Sequence, residues 1–182
     1  RSRDKNGNKN GGWQYYKTCF DVSINEQGFV NKVIHFDFVY SSACPCSTEL
    51  SKHAAEKRNI FAIPHSQRSV ARTSILFDDI VWIEDIHDIC KNVLKTETLV
   101  FCKREDEQAF AEMNGANVKF VEDAARLLHS EFSKDKRIIE FKILLSHNES
   151  LHNHNAISLI LSGNNKFFDS KVSVAELQSL VY

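Results

Sequence analysis

Apolar and polar residues alternate along two early stretches of the chain. Trp13 to Ile24 (WQYYKTCFDVSI) and Val33 to Tyr40 (VIHFDFVY) are rich in aromatic and β-branched side chains in an alternating pattern, as half-buried strands are. Asn25 to Gly28 lies between them as a turn, so the spacing predicts a long antiparallel hairpin. The period then changes. Glu49 to Arg58 reads as a helix, with Ser47 placed to cap its N-terminus. Ile60 to Pro64 makes a short connection, and Val70 to Phe77 is expected as another strand. From Asp78 to Lys95 the apolar residues Ile80, Ile83, Ile86, Ile89, Val93 and Leu94 recur at helical spacing, with acidic residues towards the start. Thr98 to Cys102 is expected as a short buried strand, Asp106 to Met113 as a helical turn or two, and Asn114-Gly115 as its stop. Val118, Val121, Ala125, Leu128 and Phe132 predict an amphipathic helix to about Lys134. Ile138 to Leu145 and Ala156 to Leu161 are the expected closing strands. Antiparallel strands with two longer helices between them give an α+β domain with its helices on one face of the sheet.

Composition narrows this picture without redirecting it. A chain of 182 residues, 42% hydrophobic and 26% charged, suits one domain with a real core, or one domain and a small extension. Residues 1–12 (RSRDKNGNKNGG) are a polar loop that reads as the continuation of a longer N-terminal part, which leaves residues 13–182 as the domain. A formal net charge of −1 argues against a broad nucleic-acid surface and leaves room for a local basic pocket. There is no signal peptide and no uncharged apolar run long enough to span a membrane, so a soluble protein is expected. Five cysteines, an odd number without a secretory signal, point to a reducing compartment and to the cytoplasm.

Candidate chemistry concentrates at Ser41–Ser51 (SSACPCSTELS), where a strand gives way to a helix. A thiol at a helix N-terminus is favoured as thiolate, the form that binds metal or attacks an electrophile. Two sulfurs in a C-x-C spacing chelate one tetrahedral ion poorly, so one ligand from Cys44 and Cys46 is the better expectation, and two small buried hydrophobes flanking a turn proline is the plain alternative. His65 follows a proline and is either a loop residue or a rigidly held ligand. Glu149, His152 and His154 put a carboxylate and two imidazoles within six residues, which suits metal binding or proton transfer and is equally a polar turn between strands. Glu122 stands four residues before Arg126, the spacing of a helical ion pair. Arg68 with Arg72, and Lys103 with Arg104, are small basic clusters that matter if a substrate carries phosphates.

Five separated motifs, SSACPCSTELS, IPHSQRS, KREDEQAF, NGANVKFVEDAARLL and HNESLHNH, resemble in type, order and spacing those of the prokaryotic type IB GTP cyclohydrolase family. The resemblance implies the tunnelling fold, an antiparallel sheet with two main helices on one face. It also implies a homo-oligomer, expected as a tetramer, with active sites between subunits. The implied reaction is metal-dependent conversion of GTP and water to 7,8-dihydroneopterin triphosphate and formate, the entry step of folate biosynthesis. By motif position Cys44, His65 and Glu107 would be the metal ligands, for zinc, manganese or iron, with Cys44 the family's essential cysteine. Glu149, His152 and His154 would lie around the metal, His152 as the proton-transfer group. Glu122 would hold the edge of the purine, and Arg68 with Lys103 and Arg104 would meet the triphosphate. Two other classes are weighed against this. One is a structural zinc protein closed by Cys44, Cys46, His152 and His154. The other is a tunnelling-fold nitrile reductase with a nucleophilic cysteine, which has no need of His65 or the E-x-x-H-x-H cluster.

Overall fold

A computed structural model describes residues 12–163 and 167–181. The polar opening assigned to residues 1–12 therefore lies, but for Gly12, outside the described residues. Among the described residues five strands form one antiparallel sheet in chain order: β1 (Thr18–Ile24), β2 (Val30–Ala43), β3 (Ser66–Phe77), β4 (Ile138–His147) and β5 (Ala156–Ser162). The helices are α1 (Pro45–Arg58), α2 (Ile83–Leu94), α3 (Arg104–Ala116), α4 (Val121–Phe132) and a short α5 (Val174–Gln178). The expected α+β class is what is found. No helix is long and apolar enough to cross a membrane among the described residues, and all five cysteines are free thiols.

The predicted hairpin is present, with Thr18 opposite Phe36 and Ile24 opposite Val30. Its turn is fixed by Asn25, whose Oδ1 accepts from Gln27 N at 3.0 Å and Phe29 N at 2.9 Å, and by Gly28 at φ 83°, a conformation glycine adopts without cost. Residues 13–17 precede the strand, and β1 is exposed along its whole length. Alternation there does not mean half-burial, because β1 is the sheet edge: Phe20 and Val22 stay 59% and 64% exposed.

The core lies between one sheet face and two helices. Ile34, Phe36, Phe38 and Tyr40 of β2, Ala71 and Ile75 of β3, and Phe141, Ile143 and Leu145 of β4 meet Ile86, Cys90 and Leu94 of α2 and Ala124, Ala125, Leu128 and Phe132 of α4. Each group follows the period of its element, 2 in the strands and 3.6 in the helices. The opposite sheet face carries a smaller cluster in which Leu180, fully buried, packs on Val70 and Leu144.

Local departures from the predicted elements have local causes. The first helix starts at Pro45, not at Glu49: proline is pre-set for the first helical position, Cys44 is the N-cap, and Ser47 lies inside the first turn. The strand expected from Val70 begins at Ser66, because β2 is long enough to pair it. Helix α2 starts five residues after Asp78. Thr98 to Cys102 forms no strand; beside β2 there is a single bridge, Tyr40 with Glu97, and Leu99, Val100 and Phe101 remain exposed. Asn114-Gly115 does not stop α3, which runs to Ala116, where the Asn117 side chain donates to Met113 O at 2.7 Å.

Candidate active site

The site is built where β2 ends and β3 begins. Ala43 pairs with Ser66, so the next residues outward, Cys44 and His65, face one another across the sheet end. Cys44 N donates to His65 O at 3.2 Å, and His65 N donates to Ser47 Oγ at 3.2 Å. Thr48 N and Thr48 Oγ1 both donate to Cys44 O, at 3.0 and 2.9 Å. The thiol thus sits on a clasped backbone at the positive end of α1.

The His65 ring is held by Glu149 and by Gln67, a side chain that the sequence pattern did not mark. Its Nδ1 lies 3.2 Å from Gln67 Oε1 and 3.6 Å from Glu149 Oε2. Gln67 Nε2 in turn donates to Ser42 Oγ at 2.9 Å and faces Glu149 Oε1 at 3.4 Å, and Ser42 Oγ is 2.8 Å from Ser69 Oγ. Since the Gln67 nitrogen is engaged by these acceptors, its oxygen faces His65 and Nδ1 is the donor. That tautomer leaves the lone pair on Nε2, the arrangement by which a carboxylate or amide orients a ligating histidine. Gln67 alternates with Ser69 along β3 and lies opposite Ser42 of β2; the alternation within HSQRS is the signal that could have marked it.

Glu107 comes from elsewhere. Helix α3 opens with Glu105, Asp106 and Glu107, where the helix dipole favours negative charge, and Asp106 Oδ2 accepts from Lys103 N at 2.9 Å. Glu107 Oε1 lies 3.9 Å from Cys102 Sγ. It lines a cavity of about 590 Å3 together with Arg68, Gln67, Thr98, Phe110 and Asn114. Cys44 and His65 are therefore brought together, Glu149 joins His65, and Glu107 with Arg68 shares the adjoining cavity. No three His, Cys, Asp or Glu side chains converge on one point among the described residues. A thiol, an imidazole and carboxylates are the right donors in kind for a divalent cation, but among the described residues Cys44, His65 and Glu107 do not converge.

His152 and His154 stack on each other, ring centres 5.1 Å apart and 10° from parallel, in the exposed segment between β4 and β5. Glu122 is exposed in the first turn of α4, and Arg126 bonds Asp123 at 2.9 Å, so the i, i+4 pairing with Glu122 is not the one formed. Arg72 is not a partner of Arg68: it makes a bidentate bond to the buried Asp37, 2.7 Å at each contact.

Residues 2–158 match the family described as type I GTP cyclohydrolase FolE2. The chain is 49% identical over 153 residues to the GTP cyclohydrolase FolE2 of Paracoccus denitrificans, covering 84% of this chain and 47% of that protein. It is 50% identical over 155 residues to the protein of the same name from Ruegeria pomeroyi, covering 84% of this chain and 42% of the other. The chain spans less than half the length of these relatives. With the matched region taking in the Cys44 turn, the His65 strand, α3, α4 and the Glu149 segment, the chain belongs to the type I GTP cyclohydrolase FolE2 family.

Proposed function

We propose that the chain carries the catalytic part of a metal-dependent GTP cyclohydrolase of the prokaryotic type IB class, with a tunnelling fold, that converts GTP and water to 7,8-dihydroneopterin triphosphate and formate. The observation that carries this is the pairing of Cys44 and His65 across the end of β2 and β3, with Gln67 and Glu149 fixing the His65 ring. Family membership and motif order support the same reading.

Cys44 and His65 would hold a divalent cation, zinc, manganese or iron, with Glu107 as third ligand. Guanine C8 is a weak electrophile, and such a cation supplies water of lowered pKa to attack it. The remaining chemistry belongs to the chain. Glu149 and Gln67 keep Nδ1 of His65 as the donor and Nε2 as the ligand atom. His152, with His154 stacked beside it, supplies a proton to the imidazole nitrogen that leaves as the ring opens. Glu122 accepts from guanine N1–H and the 2-amino group, and other bases would leave that carboxylate unpaired. Arg68 faces the triphosphate. The reading includes a homo-oligomer, a tetramer by the family resemblance, whose sites are completed between subunits and which acts in the cytoplasm in folate biosynthesis; the exposure of Glu122 and the place of Glu107 on the cavity wall support it.

The test is incubation of the chain with GTP and each of the three metals, followed by oxidation of the product to a fluorescent pterin. Metal-dependent pterin formation supports the proposal. GTP left intact with every metal, under conditions where the chain is folded and oligomeric, refutes it.

A further inference from the structure

Helix α3 turns one face to the cavity beside the Cys44–His65 turn. Glu107, Phe110, Ala111 and Asn114 follow the i, i+3, i+4, i+7 spacing, and all four line that space. Thr98, Ser41 and Ser66 add hydroxyls to the wall. Asn114 Oδ1 is the buried side-chain atom that has no hydrogen-bond partner among the described residues. An unpaired buried acceptor costs stability, and leucine, of similar size, would avoid the cost at this helical position. On a cavity wall Asn114 can take a donor from a ligand, and the soft terminal torsion of an amide lets it turn towards one.

We infer that Asn114 reads a ribose hydroxyl of the nucleotide, which makes it a specificity-determining residue. On the function proposed above, GTP has few hydrogen-bond donors left to offer. N1–H and one hydrogen of the 2-amino group are taken by Glu122 in that proposal, and O6, N7 and the triphosphate oxygens are acceptors. The donors left are the second amino hydrogen, on the purine edge that Glu122 holds, and the 2′- and 3′-hydroxyls, which alone can also accept. A hydroxyl donates to Oδ1 and can accept from Nδ2, so one side-chain amide serves both of its roles. Phe110 and Ala111, one turn back along α3, supply apolar surface for the carbon face of the sugar.

The test compares equilibrium binding of GTP, 2′-deoxy-GTP and 3′-deoxy-GTP to the full chain and to Asn114→Leu and Asn114→Asp. The expected wild-type result is at least tenfold weaker binding of one deoxy analogue. Asn114→Leu should bind GTP at least tenfold more weakly, treat GTP and that analogue alike within twofold, and melt no lower than wild type. Asn114→Asp, which keeps the acceptor, should keep the discrimination. Unchanged GTP affinity in Asn114→Leu, or weaker binding with the discrimination intact, overturns the inference. Formate release is scored separately: GTP bound with ribose discrimination but without formate refutes the reaction and leaves Asn114 its role, whereas a wild type that binds no GTP refutes both.

Discussion

His65 shows how much of an imidazole's behaviour is set by the residues around it. Its Nδ1 is committed to Gln67, with Glu149 behind, so Nε2 is the atom presented. Cys44→Ala and His65→Ala should abolish metal retention while the chain stays folded, as read by metal content after gel filtration and by circular dichroism; full occupancy in either variant would show the ligand assignment to be wrong. Gln67→Ala should act more gently, weakening metal affinity roughly 10–100-fold, the usual effect of removing a group that orients a ligating histidine. Competition with a chelator measures it, and an unchanged affinity would mean that Gln67 serves only the Ser42–Ser69 network. Glu122→Gln separates another role: GTP binding should weaken while metal binding does not, and equal GTP affinity would remove Glu122 from the purine edge.

At the scale of elements, α3 illustrates a helix placed by its first turn. Asp106 is 95% buried and accepts from Lys103 N–H, satisfying a helix-start donor. Asp106→Ala should cost about 1 kcal/mol in urea unfolding and loosen the wall that carries Glu107; a loss below the error of the measurement would mean that α3 is held by packing alone. Periodicity made β2, β4, α2 and α4 legible, because each buries one regular stripe in the same core. It misjudged β1, where alternation belongs to an uncovered edge, and Thr98–Cys102, an apolar run that joins no strand, the bridge to β2 lying just before it at Glu97. Capping chemistry at Ser47 looked sound locally but was overruled by Pro45, and the Ser47 hydroxyl accepts from His65 instead. The motif residues could be listed from sequence. That Gln67 orients His65, and that Glu107 faces the cavity with Asn114, depends on strand register and helix rotation, which sequence spacing alone does not fix.

The whole molecule couples its core to pH through His147. It ends β4, is 3% exposed, and lies 2.8 Å from the hydroxyl of the fully buried Tyr40. Burial, helped by the charge of Lys119, pushes its pKa down from 6.5 to about 4. A lowered histidine pKa contributes stability in full above the unfolded value, and that contribution is lost as pH falls towards the folded one. The gap is worth about 3 kcal/mol. His87 works the other way: its hydrogen bond to Glu97 outweighs burial and raises its pKa, so its contribution is present below 6.5 and declines as pH rises through the folded value. Unfolding free energy should therefore fall between pH 6.5 and 4, and His147→Gln should flatten that slope; an equal slope in the variant would place the acid sensitivity elsewhere.

If this chain opens the imidazole ring of GTP and expels C8, GTP labelled at C8 reports it. Wild-type protein loaded with metal should release one labelled formate for each GTP consumed, and release should stop in His65→Ala and on chelation. Consumption of GTP with the label retained in a purine or a formamide, or release undiminished in His65→Ala, would contradict the account.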